Sequence, residues 1–208
     1  MTENSRNLFE EALCNAFGDE NLRKIQQAKI GIAGAGGLGS NCAVNLVRSG
    51  FLHFVIVDFD VIDFSNLNRQ FYFYNQVGRP KVEALRENLL TINPNVRIDI
   101  LQQKIEEHNV EAIFQECDII VEAFDKACYK RMIVEHYINS DRLLVSASGI
   151  AGWSNSDDIK IHVIKEKFYL VGDLSSEVGK DLPPCAPRVS IAAAKQADII
   201  LSHVLKGD

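Results

Sequence analysis

The chain has 208 residues, 47% hydrophobic and 24% charged, with a formal net charge of -6 and five cysteines. This length and composition describe a globular chain able to form one domain around a substantial core. The acidic balance argues against a nucleic-acid partner. Cys14, Cys42, Cys117, Cys128 and Cys185 are scattered and form no C-x-x-C, which argues against a disulfide framework or a structural zinc. No run is apolar for the length of a membrane span, and the first residues are polar rather than leader-like, so a cytoplasmic location is expected.

Residues 2–28 place Leu8, Leu13, Phe17, Leu22 and Ile25 near helical spacing, interrupted at Gly18-Asp19. They read as an N-terminal helical arm over residues 1–28, ahead of a single domain over residues 29–208. The arm is a packing or dimer element, or else a carrier of Arg6 or Arg23 toward a phosphate. An apolar strand over 30–33 runs directly into Gly34-x-Gly36-x-x-Gly39, followed by a helix over 38–49 that Gly50 ends. Strand, glycine turn and helix in that order suggest a phosphate loop, in which glycine lets the backbone turn tightly and approach an anion at the helix start. A tight turn with no ligand has the same pattern.

A second strand over 54–57 ends at Asp58, 19 residues after Gly39. An acidic residue about 20 residues on, at the end of the second strand, commonly accepts from a ribose hydroxyl; a turn aspartate is the alternative. Residues 58–70 are polar. Ser65-Asn66 offers a cap, and Arg69 a planar cationic fork suited to phosphate. Pro80 suits a first helical position, and Val82, Leu85 and Leu89 form the buried face of the helix that follows. Lys81 is a cation at a helix N-terminus, unfavourable by the helix dipole unless a phosphate binds beside it; a merely solvated lysine is the alternative.

Asn93-Pro-Asn95 ends that helix. A strand over 96–101, a helix over 106–115 and a buried strand over 119–121 follow. Asp125 comes next, at the carboxyl edge of that strand, as a metal or catalytic carboxylate or as a helix cap. Glu122 is the alternative carboxylate, set within the strand. After a strand over 143–147 comes the small-residue loop 148–152, expected near a ligand or partner chain, and then Trp153, read as packing. Residues 159–164 and 168–171 alternate as an antiparallel pair. Residues 172–184 form a polar loop, and a largely apolar helix over 188–205 ends the chain. Cys42, Cys117 and Cys128 read as small buried hydrophobes, and Cys185 lies in the polar loop region. Alternating strands and helices predict an α/β, Rossmann-like doubly wound and mostly parallel sheet, extended by antiparallel strands.

The segments Gly34-Ala-Gly-Gly-Leu-Gly-Ser40, Asp58-Phe-Asp60, Ser65-Asn-Leu-Asn-Arg-Gln70, Gly78-Arg-Pro-Lys81, Ile92-Asn-Pro94 and Glu122-Ala-Phe-Asp125 occur together in this order. Over residues 25–205 this arrangement resembles the E1-like activating enzymes, the superfamily of ThiF, MoeB and the activating domains for ubiquitin-like proteins. Ser148-Gly-Ile-Ala-Gly152, Val171-Gly-Asp173 and Ala186-Pro-Arg-Val189 look most like the short ThiF subfamily. The resemblance implies ATP-dependent adenylation of the C-terminal Gly-Gly carboxylate of a small ubiquitin-fold sulfur carrier, ThiS-like, in thiamine synthesis. It further implies ATP on the loop Gly34, Gly36, Gly37 and Gly39, and ribose at Asp58 with Asp60 beside it. Triphosphate would lie at Asn66, Arg69 and Lys81, Mg²⁺ at Asp125, and the chain would form a homodimer. The chain lacks the paired C-x-x-C motifs that hold structural zinc in many relatives, an R-Y-x-R-Q motif and a catalytic-cysteine motif.

A nicotinamide-dependent dehydrogenase would share the glycine loop and Asp58 but leaves Asn66, Arg69, Lys81 and Asp125 without a role. A non-catalytic docking subunit, or an enzyme for a molybdopterin-synthase carrier, would meet the same motifs.

Overall fold

The structure is a computed structural model that describes residues 6–207. Its strands are β1 (Lys29–Ala33), β2 (His53–Val57), β3 (Arg97–Leu101), β4 (Ile119–Glu122), β5 (Leu143–Ala147), β6 (Lys160–Lys165) and β7 (Phe168–Gly172). Its α-helices are α1 (Leu8–Phe17), α2 (Asp19–Gln27), α3 (Gly37–Arg48), α4 (Lys81–Ile92), α5 (Val110–Phe114), α6 (Ala127–Tyr137) and α7 (Ala186–Lys206). The sheet runs β3-β2-β1-β4-β5-β7-β6, with every adjacent pair parallel except β6 and β7. The expected mostly parallel sheet with an antiparallel extension is thus observed. It is the later strand of the hairpin, β7, that lies beside β5, and β6 forms the edge.

The chain steps from β1 outward to β3, then returns to the other side of β1 with β4. Strand order therefore reverses between β1 and β4, where the carboxyl ends of parallel strands open a crevice. Alternate residues of each central strand serve opposite faces. Ile30, Ile32, Phe54, Ile56 and Val121 pack with residues of α3, α4 and α7. Val55, Val57, Ile120 and Leu144 pack with Val110 and Phe114 of α5 and Ile133 and Tyr137 of α6. Burial on both faces explains why these strands are continuous apolar runs.

Gly18 separates α1 from α2, and Leu22 and Ile25 of α2 are fully buried. The start of the arm is fastened by polar contacts. Asn7 caps α1, and buried Glu10 accepts from Asn93 Nδ2 at 3.2 Å and Asn95 Nδ2 at 3.1 Å. Residues 2–5 of the expected helix lie outside the described residues. Arg6 pairs with Asp19 at 2.6 Å and Arg23 with the same carboxylate at 2.7 Å, so within this chain both expected phosphate cations are engaged on the arm itself.

Four local expectations are corrected. The helix expected over 106–115 shrinks to Val110–Phe114, because the Asn109 side chain accepts from Glu106 N and turns the preceding residues. Cys128 is exposed on the first turn of α6 rather than buried. Trp153 is 61% exposed rather than packed. Pro80 is the residue before α4, and Lys81 opens it. The apolar last helix is buried on α3, with Val189, Ala192, Ala193 and Ile200 in the core. No helix among the described residues is long and apolar enough to cross a membrane.

Packing at the start of α3 leaves no room for a side chain at Gly39, where an added Cβ would lie 1.8 Å from the Gly34 carbonyl oxygen. Gly39→Ala should destabilise the fold by about 1–3 kcal/mol through forced backbone movement, read as a lower urea midpoint with unchanged m-value.

Candidate nucleotide site

The candidate site lies where the ends of β1, β2 and β4 meet. Gly34 leaves β1 with φ +104°, a conformation glycine adopts freely, and its N–H donates to Val57 O at 2.9 Å. The next peptide is held from both sides. Ala35 N donates to Asp58 Oδ2 at 2.7 Å, and Tyr72 Oη donates to Ala35 O at 2.7 Å. Asp58 Oδ1 accepts from Asp60 N at 2.8 Å, and Asp60 Oδ2 accepts from Lys81 Nζ at 2.8 Å. Tyr72 Oη also reaches Lys81 O at 3.3 Å, closing a ring Ala35–Asp58–Asp60–Lys81–Tyr72.

Burial, only partly offset by Lys81 and by the N–H groups of Asp60 and Ala35, pushes the Asp58 carboxyl above its usual range. Burial and the nearby Asp58 charge push the Tyr72 phenol far up, so it stays a hydrogen-bond donor. Lys81 is 6% exposed and so is not simply solvated, and within the chain it is the Asp60 carboxylate that compensates its charge at the start of α4. Tyr72 was not foreseen in this role. Its only signal was an aromatic carrying a hydroxyl directly after the polar segment.

No side chain caps α3, whose first turn begins at Gly37 beside this ring. The segment 65–71 is fastened across that turn. Asn41 Nδ2 donates to Arg69 O at 2.8 Å, and Phe71 N donates to Ser40 Oγ at 3.0 Å. Arg69 lays its stem along Gly37, with Cγ 3.5 Å from where a Cβ would stand. Its Nη1 donates to Ser65 O at 3.0 Å and Asn68 Oδ1 at 2.7 Å, and no carboxylate among the described residues pairs with it. The cap expected from Ser65-Asn66 is made by Asn66 together with Asp63 and not by Ser65: the Asp63 side chain accepts from Ser65 N at 2.8 Å, and Asn66 Oδ1 accepts from Asp63 N at 3.1 Å. Asn66 is therefore first of all a turn cap.

The two carboxylates after β4 separate cleanly. Glu122 is fully buried and wholly engaged, accepting from Phe124 N at 2.7 Å, from Lys130 Nζ at 3.0 and 3.2 Å, and from Ser146 Oγ. Asp125 is exposed, makes no side-chain hydrogen bond among the described residues, and does not cap α6. It lies in a loop tied to β1 by Ala123 N donating to Ala33 O at 2.9 Å, and Ala123 O borders Gly34. A single free carboxylate in the loop that borders Gly34 fits the habit of Mg²⁺, which takes one or two carboxylates and completes its shell with phosphate oxygens and water. Glu122 has no donor capacity left for that duty.

The loop 148–152 packs on residues 173–184 rather than standing open: Asp173 N donates to Gly149 O and Gly152 N to Pro183 O, both at 2.9 Å. Arg188, 4% exposed at the start of α7, gathers this region. It donates to Ser154 O at 2.8 Å, Asn155 O at 3.1 Å and the Asp173 carboxylate. Asn68 Nδ2 donates to Pro184 O at 3.1 Å, linking it to the Arg69 segment. Cys185 sits half-buried just before α7, with Sγ 3.5 Å from Pro183 O.

A family description of the ThiF family matches residues 10–167. The chain is 36% identical over 158 residues to a probable molybdopterin-synthase adenylyltransferase of Porphyra purpurea, covering 76% of this chain and 37% of that protein. It is 33% identical over 138 residues to a tRNA threonylcarbamoyladenosine dehydratase of Bacillus subtilis, covering 65% of this chain and 54% of that one. The chain thus spans about half or less of these curated relatives. Among solved structures, that of the Escherichia coli tRNA N6-threonylcarbamoyladenosine dehydratase in complex with ATP is similar with a TM-score of 0.83 at 20% identity, over 99% of this chain and 96% of that one. The E. coli MccB structure with MccA-N7isoASN is similar with a TM-score of 0.72 at 20% identity, over 98% of this chain and 66% of that one.

Burial pushes the Asp173 carboxyl up, but the N–H and hydroxyl groups of Ser176 and Ser175 prevail and hold it down at about 2. A carboxyl lower in the folded than in the unfolded chain adds stability that is complete above its ordinary value of about 4 and is lost as pH falls toward 2. Asp173→Asn should lower stability at pH 7 and flatten its fall between about pH 4 and pH 2 relative to wild type, measured by urea unfolding across that window.

Proposed function

Because the chain belongs to the ThiF family, we propose that it is an ATP-dependent adenylyltransferase acting on a carboxylate at the end of a small ubiquitin-fold sulfur carrier. The observation that carries this reading is the set of charged groups gathered at the carboxyl ends of β1, β2 and β4, beside the uncapped start of α3. Arg69 has no carboxylate partner, Lys81 is buried beside Asp58 and Asp60, and Asp125 is a free carboxylate across the crevice. A dehydrogenase would have no use for that set.

In this reading the loop Gly34, Gly36, Gly37 and Gly39 lies under the phosphates, and Asp58 keeps lone pairs for ribose hydroxyls beyond the two backbone N–H groups it accepts from. Asn66, Arg69 and Lys81 face the triphosphate. The carrier carboxylate attacks the α-phosphorus; the new C–O–P bond forms as the bond to the pyrophosphate oxygen breaks, and pyrophosphate leaves with the electron pair. A carboxylate needs no general base, so the chain's task is to neutralise an anion meeting a polyanion and to align the two. Mg²⁺ held at Asp125 would add positive charge on the phosphate oxygens. The carboxylate-binding end would face the loops 148–152 and 173–184.

The ThiS-like carrier of thiamine synthesis is the substrate favoured by Ser148-Gly-Ile-Ala-Gly152 and Ala186-Pro-Arg-Val189, and a homodimer is the expected assembly. The similarity to two tRNA dehydratases supports a second reading, in which the adenylated carboxylate belongs to a modified tRNA nucleoside. The net charge of -6 weighs against it, since tRNA binding is driven by phosphate neutralisation.

The test is ATP–pyrophosphate exchange with Mg²⁺ against purified Gly-Gly-ending carriers and against tRNA. Exchange with one carrier is expected, reduced about 10²–10³-fold in Arg69→Ala, Lys81→Ala and Asp125→Ala. Exchange with tRNA alone selects the second reading. Normal turnover in the variants overturns the site assignment, and ATP binding without any exchange points to a docking subunit.

A further inference from the structure

The pairing of β4 with β5 runs from Ile119 opposite Leu143 to Val121 opposite Val145, and all six residues of that ladder are apolar. Polarity enters at the next position on each strand. Glu122 accepts from Ser146 Oγ across the two strands and from Lys130 Nζ of α6 at 3.0 and 3.2 Å. Lys130 Nζ also donates to Ala147 O at 3.0 Å. Three acceptors use the whole donor capacity of an ammonium, so Lys130 clamps the carboxyl end of β4 to that of β5.

Both strand ends lead straight into the crevice. After Glu122, Ala123 N donates to Ala33 O at 2.9 Å and Phe124 N donates to Glu122 Oε1 at 2.7 Å. Two successive peptides are thereby fixed, and Asp125 follows them with its carboxylate free. After Ala147, Ser148 N donates to Val171 O at 2.9 Å, and the loop 148–152 begins. One ammonium thus ties the stretch that carries Asp125 to the loop on the carrier side.

Stability alone gives no reason for this arrangement. A buried ion pair is often no more stabilising than apolar side chains of similar volume. What it adds is direction, since each hydrogen bond fixes an angle as well as a distance. The fully buried Glu122 carboxylate holds the turn before Asp125, and Lys130 is the only cation paired with it among the described residues.

We propose that Lys130 is a positioning residue of the adenylation site: through Glu122 it sets where Asp125 stands, and with it the metal-dependent part of ATP binding. The inference rests on the reading of Asp125 as the Mg²⁺ carboxylate.

The experiment is calorimetric titration of ATP in Mg²⁺ and in EDTA, with thermal unfolding of the same samples. It compares wild type, Asp125→Asn, Lys130→Met, Lys130→Arg and the double variant Glu122→Gln/Lys130→Met. Lys130→Met should weaken ATP binding in Mg²⁺ about 10- to 100-fold, the usual cost of losing a group that orients a metal ligand. Its affinity in EDTA should stay at the wild-type value, because Asp58 and Tyr72 hold the glycine turn independently. Asp125→Asn should behave the same way, and Lys130→Arg, a cation that can still span both acceptors, should recover most of the loss. The double variant leaves no unpaired buried charge, so it should keep Tm near wild type while showing the same loss confined to Mg²⁺. Wild-type affinity in Mg²⁺ in either folded variant leaves Lys130 idle and overturns the proposal. Equal losses in Mg²⁺ and EDTA, or a collapse of Tm in both variants, makes Lys130 a general support of the fold and overturns it too. If Asp125→Asn keeps wild-type affinity in Mg²⁺, the metal reading of Asp125 itself falls and the proposal with it, a failure told apart by that variant.

Discussion

The carboxylate of Asp58 is the constraint on which the crevice depends. One oxygen takes the N–H of Ala35 in the glycine turn, and the other takes the N–H of Asp60, from which Lys81 is held. Burying a carboxylate is unfavourable unless its lone pairs are satisfied. Here two backbone donors and a nearby ammonium satisfy it, so the carboxylate locks three separate stretches of chain at fixed positions. Tyr72 closes the ring from the other side, and its raised pKa keeps it a donor to Ala35 O. The glycine turn is therefore rigid before any ligand arrives, which lowers the ordering entropy a ligand must overcome.

The rest of the site follows from topology. Reversal of strand order between β1 and β4 leaves a gap above their carboxyl ends, and the register Ala33 opposite Glu122 brings the loop after β4 against Gly34. Glu122 anchors that loop through Lys130, Ser146 and the N–H of Phe124, leaving Asp125 free at its tip. One carboxylate serves structure and the other remains for chemistry. α7 closes the crevice from below, since Val189 lies against Gly37 and Arg188 ties the loops around residues 154 and 173.

Much of this was legible in one dimension wherever the physics is local. Continuous apolar runs marked the buried parallel strands, Gly34 and Gly39 marked a turn too tight for a side chain, and Val82, Leu85 and Leu89 marked the inner face of α4. Misreadings came where a side chain a few residues away competes with propensity. Asn109 unwinds the first turn expected of α5, and Asp63 rather than Ser65 caps its turn. Cys128 and Trp153 were read by residue type, but exposure depends on which face neighbouring elements cover.

The sequence by itself determined the α/β class, the order of elements, the glycine turn and the residue types gathered near it, because periodicity, strand punctuation and glycine spacing are properties of neighbouring residues. Only the tertiary structure decided which carboxylate is free and which cation is neutralised. Those are pairings between residues far apart along the chain: Lys81 with Asp60, Lys130 and Ser146 with Glu122, and Arg188 with Asp173. They form only once the strands have brought their carboxyl ends together and burial has made each polar group choose a partner.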